Sequence, residues 1–202
     1  MKQCQEKLNV GLIGLGRQAI EDHLPAIKAS HDVQLVGIVD TDKKKLKDFS
    51  KANKHVPVFE RVEDLFKSKR LDFVIVATPH FLHGDIVKYA IKNKVHILKE
   101  KPFAISLAQA QEIRDFAEKK NVIIGTTLQR RFNPIYSTFF QFIDKIGKPY
   151  FIDCKYTFYT DAPHAGWRGS KKFAGGGCLI DMGYHMIDLL MWYFGLPNLI
   201  FA

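Results

Sequence analysis

The run Gly175-Gly176-Gly177-Cys178-Leu179-Ile180-Asp181-Met182-Gly183-Tyr184-His185-Met186-Ile187-Asp188 gathers two carboxylates and an imidazole into one short stretch. Continued as a helix after the glycines, it puts Asp181, His185 and Asp188 at i, i+4 and i+7 on one face. An imidazole between two carboxylates has its charge and tautomer set by them, as a proton-transfer group needs. A helix whose polar stripe merely faces water has the same spacing, and an isolated match favours that plainer structure.

The opposite end of the chain changes the balance. Gly14-Leu15-Gly16-Arg17-Gln18-Ala19 fits the GxGxxA form of a dinucleotide fingerprint, with an apolar strand before it and a helix pattern after it. The first glycine permits the tight turn, the second lets a pyrophosphate approach the backbone, and Ala19 allows close helix–strand packing. The following helix N-terminus offers free N–H groups and a positive dipole end to the phosphates, so Arg17 and Gln18 belong to the same candidate site. Asp40 ends the second apolar run, twenty-one residues after Ala19, where a carboxylate can accept hydrogen bonds from an adenosine ribose. Capping a helix that starts near Asp42 is a second, compatible role for it. A carboxylate there repels a 2′-phosphate, so NAD is the expected cofactor. Lys43 to Lys45 lie close enough in sequence to keep NADP open.

Two further segments carry candidate groups to the same edge. Ala77-Thr78-Pro79-His80-Phe81-Leu82-His83 follows one apolar run, and Glu100-Lys101-Pro102 follows the next. In a doubly wound sheet ligands bind outside the carboxyl ends of the strands, which makes Thr78, Pro79, His83 and Glu100 cofactor neighbours. A lysine after a strand is ordinarily just solvated. One fixed by a following proline, at the edge where a nicotinamide lies, is a better candidate for chemistry.

The elements that must position these groups are legible as alternating patterns. Leu8–Ile13, Val33–Val39, Phe73–Ala77, Val95–Leu98 and Val122–Ile124 read as buried strands, separated by helical patterns such as Leu82-Ile86-Val87-Ala90-Ile91. Ser106-Leu107-Ala108-Gln109 reads as a capping box opening another helix. The result is an α/β chain with a doubly wound parallel sheet, helices on both faces, over residues 1–126. From residue 127 the texture changes: a helix over Arg130–Gly147, a longer alternating strand over Tyr150–Thr160, a Gly/Pro loop to Gly177, the Asp181–His185 helix, and the start of a strand at Leu199–Ala202. Residues 127–202 therefore read as a second domain.

Composition excludes some functions. With 47% hydrophobic and 25% charged residues the chain is globular rather than disordered. The net charge of +9 comes from short basic runs at helix ends and in loops, with no nucleic-acid motif beside them, so nucleic acid is not the expected partner. Cys4, Cys154 and Cys178 have neither metal nor CxxC spacing, and no metal site is expected. No segment has the pattern of a signal core or a membrane span, and the cytoplasm is the expected compartment.

Together these residues resemble the Gfo/Idh/MocA family, the group of glucose–fructose oxidoreductase and inositol dehydrogenase. The likeness rests on the glycine fingerprint, Thr78-Pro79 with His83, Glu100-Lys101-Pro102, Arg131-Phe132-Asn133-Pro134, Trp167-Arg168 and Gly175 to Asp188. It implies a Rossmann domain followed by an open-sheet domain, and a catalytic group of Lys101, Asp181 and His185. It also implies that the Lys101–Pro102 peptide can be cis. The implied activity moves a hydride between the nicotinamide and a secondary alcohol or ketone of a sugar, inositol or related polyol. His185, with an unperturbed pKa of about 6.5, suits acid–base work, and Lys101 suits stabilising charge on the reacting oxygen. Either can move the proton, while Asp181 binds another hydroxyl or tunes His185. Arg131, Trp167, Arg168 and Tyr184 become substrate or nicotinamide neighbours, with packing an equal role for Trp167 and Tyr184. Family members usually continue further, so the chain reads as C-terminally truncated, and a homo-oligomer is expected where the sheet is complete. A non-catalytic nucleotide-binding module and an inactive fragment are the alternative functions.

Overall fold

The computed structural model describes residues 6–157, 159–162 and 165–201. Cys4, Phe158 and Ala202, each part of an expectation above, lie outside the described residues. The chain divides into two compact units, Met1–Thr126 and Thr127–Ala202.

The first unit alternates strand and helix: β1 (Leu8–Ile13), a π-helical turn (Ala19–His23), α1 (Leu24–Ala29), β2 (Val33–Val39), α2 (Lys43–Ala52), β3 (Val58–Phe59), α3 (Val62–Ser68), β4 (Phe73–Val76), α4 (His80–Lys92), β5 (His96–Lys99), α5 (Leu107–Lys120) and β6 (Ile124–Thr126). The strands form one six-stranded sheet in the order β3-β2-β1-β4-β5-β6, and every pairing is parallel. The order reverses direction at β1/β4, which is the switch point of a doubly wound sheet. Successive residues point to opposite faces, so the sheet carries two cores. Val10, Leu12, Ile38 and Ile75 pack on one face; Ile13, Val39, Val74, Val76 and Ile97 pack on the other with Leu65, Val87, Ile91 and Ile113 from the helices. This is why the strands read as continuous apolar runs.

In the first unit local details depart from the sequence reading at β6, which begins at Ile124 where the expected strand ends, at β3 and at two helix caps. β3 is only two residues long, too short to leave a periodic signal. The cap of α2 is Asp42, whose Oδ1 accepts from the N–H groups of Lys44 and Lys45 at 2.9 and 3.2 Å, so Asp40 does not serve as the cap. Ser106 does cap α5 through the N–H of Gln109, but the Gln109 side chain reaches back to the N–H of Ile105, one residue before the position a capping box uses.

The second unit holds a 3₁₀ turn (Gln129–Phe132), α6 (Pro134–Phe142), a 3₁₀ turn (Ile143–Ile146), another (Gly166–Gly169), α7 (Lys171–Ala174), a π-helical turn (Leu179–Gly183) and α8 (Tyr184–Phe194). The single helix expected over Arg130–Gly147 is split at Asn133-Pro134. Proline cannot continue a preceding helix but can open a new one, and the Asn133 side chain caps that start by accepting from the Ile135 N–H at 3.0 Å. The described residues of Tyr150–Thr160 are not a strand, and Leu199–Phe201 are not either. Side-chain alternation sets which residues share a face, but a strand exists only when a second backbone pairs with it, and none pairs here among the described residues. α6 and α8 are joined by aromatic contacts: Phe140 stacks on Trp192 at 4.3 Å, Phe139 meets Tyr193 edge-on at 4.9 Å, and the Tyr193 hydroxyl donates to the Tyr136 carbonyl at 2.9 Å. No described helix is long and apolar enough to cross a membrane.

Candidate functional site

In the first unit the candidate groups lie at the carboxyl ends of β1, β2, β4 and β5. Gly14 leaves β1 with φ +98°, a conformation that side chains rarely adopt, and a Cβ there would stand 2.6 Å from the Ala77 carbonyl oxygen. The loop therefore runs tight against the Ala77-Thr78 backbone. At Gly16 the situation is reversed, since the nearest atom to an added Cβ is that same oxygen at 4.0 Å. The open side of Gly16 is the kind of space a pyrophosphate needs. Ala19 is buried, while Arg17 and Gln18 turn outward to Glu21 and Asp22 one helical turn on.

Asp40 is tied to this loop. Its Oδ2 accepts from the Leu15 N–H at 2.6 Å and its Oδ1 from the Asp42 N–H at 2.8 Å. The carboxylate thus stands between the glycine loop and the start of α2. Of the neighbouring lysines, Lys43 is paired with Glu60 at 3.1 Å.

At the end of β4, Pro79 precedes the first turn of α4, which carries His80 and His83 inward. His83 is 3% exposed, and its Nε2 lies 2.8 Å from the Thr78 carbonyl oxygen. A carbonyl only accepts, so Nε2 carries the hydrogen. Burial, aided by the charge of Lys99, lowers the His83 pKa to about 3, so the ring is neutral at pH 7 and Nδ1 is a bare lone pair. That lone pair and the Thr78 hydroxyl are buried without a hydrogen-bond partner. Native interiors seldom leave such atoms unsatisfied, which sets Thr78 and His83 apart from an ordinary apolar packing contact.

The β5 end brings in Glu100, Lys101 and two residues the sequence reading passed over. The Lys101–Pro102 peptide is cis, as the resemblance implies. Glu100 Oε1 accepts from Nε2 of His23, which ends the π-helical turn after the glycine loop, at 2.8 Å. Lys99 is wholly buried and donates to the carbonyls of Glu100, Pro102 and Phe103. Burial pushes its pKa down to about 7, opposed by Glu100. His23 had a weak signal, a histidine in the first turn after a fingerprint. Lys99 had none, because a lysine ending an apolar run reads as the strand's exposed exit.

In the second unit, Asp181 sits in the π-helical turn and His185 and Asp188 in α8. His185 is 5% exposed, so the polar stripe does not face water. Both carboxylates are taken by arginines: Arg168 Nε meets Asp181 Oδ2 at 2.9 Å, and Arg131 forks onto Asp188 through Nε and Nη2. The π turn, one residue wider than an α turn, interrupts the simple i, i+4 register between Asp181 and His185. Each arginine also lies over an indole, Arg168 over Trp167 at 4.4 Å and Arg131 over Trp192 at 5.5 Å. Tyr184 opens α8. Among the described residues no three His, Cys, Asp or Glu are placed to hold a metal ion.

Residues 8–128 match the family model of the Gfo/Idh/MocA oxidoreductases, NAD-binding Rossmann fold, and residues 143–202 match the Gfo/Idh/MocA C-terminal domain. The chain is 30% identical over 174 residues to a trans-1,2-dihydrobenzene-1,2-diol dehydrogenase of Xenopus tropicalis, which covers 85% of this chain and 50% of that protein. It is 25% identical over 200 residues to a scyllo-inositol 2-dehydrogenase (NADP(+)) of Bacillus subtilis, covering 98% and 54%. Among solved structures, the WlbA dehydrogenase of Bordetella pertussis, in complex with NADH and UDP-GlcNAcA, superposes with a TM-score of 0.79 at 25% identity, over 94% of this chain and 56% of that one. The chain spans about half the length of the curated relatives it matches. It belongs to the Gfo/Idh/MocA oxidoreductase family, and its first unit is an NAD-binding Rossmann domain.

Proposed function

We propose that the protein is a nicotinamide-dependent oxidoreductase acting on a secondary alcohol or ketone of a sugar, inositol or related polyol. The observation that carries the cofactor half of this reading is the glycine loop, tight against the Ala77-Thr78 backbone at Gly14 and open at Gly16. The residues present fit the group. Gly14, Gly16 and the backbone through Ala19 would hold the pyrophosphate, with Arg17 and Gln18 at its rim. Asp40 would hold the adenosine ribose, and Thr78, Pro79, His83 and Glu100 would border the nicotinamide. When bound, NAD supplies an acceptor for the hydride leaving the alcohol carbon.

The chain's own residues do the rest. Lys101 holds the reacting oxygen and stabilises negative charge that develops on it. His185 takes the hydroxyl proton in oxidation and returns it in reduction. Asp181 acts on the electrostatics of His185 through a carboxylate whose charge Arg168 shares. Arg131 acts through Asp188 rather than as a free substrate contact, while Trp167, Arg168 and Tyr184 stand as substrate neighbours. A module that only binds nucleotide needs none of Lys101, Asp181 and His185, which argues for the enzyme.

The test is titration of the purified chain with NAD, followed by a panel of polyols monitored at the absorbance of reduced nicotinamide. Saturable binding and turnover on one member support the reading. Binding with no turnover on any member would leave the binding module in its place, and absence of binding would remove both.

A further inference from the structure

We infer that Lys99 is a positioning residue for Lys101, its buried ammonium gathering the carbonyls of Glu100, Pro102 and Phe103 so that the turn carrying Lys101 has one shape. The inference rests on the role given to Lys101 above.

Lys99 occupies a place where the strand pattern calls for a hydrocarbon. Along β5, Ile97 and Lys99 are buried on one side of the sheet, and Ile97 belongs to its apolar core. A branched aliphatic side chain would fill the same slot without bringing a charge into it. Buried ammonium groups ordinarily sit against carboxylates, yet Lys99 makes no ion pair among the described residues. Its Nζ instead donates to three backbone carbonyls, Glu100 at 3.2 Å, Pro102 at 2.6 Å and Phe103 at 3.0 Å. Three acceptors match the three N–H donors of an ammonium, and a neutral amine has only two. The Phe103 ring closes the site at 5.7 Å from Nζ.

The placement of the three acceptors is what matters. Glu100 contributes the carbonyl of the peptide that enters Lys101, and Pro102 and Phe103 contribute those just beyond it. The backbone of Lys101 is therefore gripped on both sides by one buried Nζ. Nζ of Lys99 is itself enclosed and fully engaged, so it reaches no substrate. Its influence passes through the turn.

The test reads Lys101 directly. Surface lysines of the full chain are dimethylated with ¹³C-formaldehyde, and the Lys101 resonance is assigned by its loss in Lys101→Arg. In Lys99→Met the Lys101 resonance should move into the envelope of solvated lysines or split, while the signal of remote Lys51 stays in place. Turnover should fall about tenfold or more, as displacement of a reacting group by about 1 Å produces, with NAD affinity within about threefold of wild type. Lys99→Gln restores two of the three donors and should give an intermediate shift and an intermediate rate. A folded Lys99→Met or Lys99→Gln with an unmoved Lys101 resonance overturns the inference, as does a loss of NAD affinity equal to the loss of turnover. Failure of both variants to fold makes Lys99 a folding residue and overturns it too. The resonance needs neither cofactor nor substrate, so wild-type protein inactive on every polyol would sink the proposed reaction while the Lys99–Lys101 coupling is still read.

Discussion

The guanidinium of Arg131 grips the carboxylate of Asp188 across fifty-seven residues of sequence, Nε to Oδ2 at 2.8 Å and Nη2 to Oδ1 at 2.5 Å. The parallel fork is the geometry in which arginine and carboxylate bind most strongly and most directionally. It ties the 3₁₀ turn that precedes α6 to the second turn of α8, three residues beyond His185. Asp188 is the more enclosed partner, and the Trp192 ring backs the guanidinium.

Removing one partner therefore strands the other. Asp188→Asn and Arg131→Met should each lower stability, by about 1 kcal/mol given the partial exposure of the arginine, and a double-mutant cycle by urea unfolding should show coupling of the same order. Were Arg131 instead a substrate ligand, Arg131→Met would raise KM and leave the unfolding midpoint where it was.

The parallel sheet was readable because β1, β2 and β4 are buried on both faces, which leaves apolar runs that no amphipathic helix imitates. The Gly14 turn was readable because a positive φ against the Ala77 backbone demands glycine, and the place of Asp40 at the end of β2 because the apolar run stops there. The π turn at Leu179–Gly183 was not, since it changes which backbone groups bond and how the side chains face without altering the sequence pattern. Nor was the pairing of Asp181 and Asp188 with arginines, which depends on where distant segments meet. Tyr150–Thr160 shows the opposite error, an alternating pattern that marks faces without a partner to make a ladder. Lys99 was hidden for a third reason: its acceptors are backbone carbonyls, which every residue has.

The two glycines of the loop should fail in different ways. Gly14→Ala puts a Cβ 2.6 Å from the Ala77 oxygen at φ +98°, so both NAD affinity and thermal stability should drop. Gly16→Val meets only the Ala77 oxygen at 4.0 Å and should fold normally, yet lose NAD binding because the new side chain fills the space for the phosphates. Calorimetry with and without NAD separates the two. A Gly16→Val protein that binds NAD as wild type does would refute the proposed position of the pyrophosphate.

His83 makes stability depend on acid. Its folded pKa of about 3 lies below the 6.5 of an ordinary histidine, so the unfolded chain binds the proton first as pH falls. The contribution is fully present above about pH 6.5 and is lost progressively toward pH 3, on the order of a few kcal/mol over that window. His83→Gln, which cannot titrate, should show a shallower decline than wild type when urea unfolding at about pH 7.5 and about pH 4.5 is compared. Equal declines would mean that His83 is charged in the folded protein.

Cofactor choice turns on one carboxylate. With its oxygens held by the N–H groups of Leu15 and Asp42, the Asp40 charge is fixed at the start of α2 and opposes a 2′-phosphate there. Asp40→Asn keeps the size and removes the charge. It should improve NADP affinity relative to NAD by about tenfold, equivalent to about 1.4 kcal/mol. Fluorescence titration with both reduced cofactors measures the ratio, and an unchanged ratio would move the ribose contact away from Asp40.

The two groups assigned to proton and charge handling should separate by pH. Lys101→Met removes the cation that holds the reacting oxygen, so turnover should fall by at least about a hundredfold at every pH, with NAD binding nearly intact. His185→Ala removes the proton acceptor, and here the loss should be largest near neutrality and smaller in alkali, where hydroxide competes as base. Small amines or imidazole added to His185→Ala should recover part of the rate. If Lys101→Met is the variant whose loss shrinks in alkali and whose rate amines restore, then the proton passes through Lys101, and His185 binds the substrate instead.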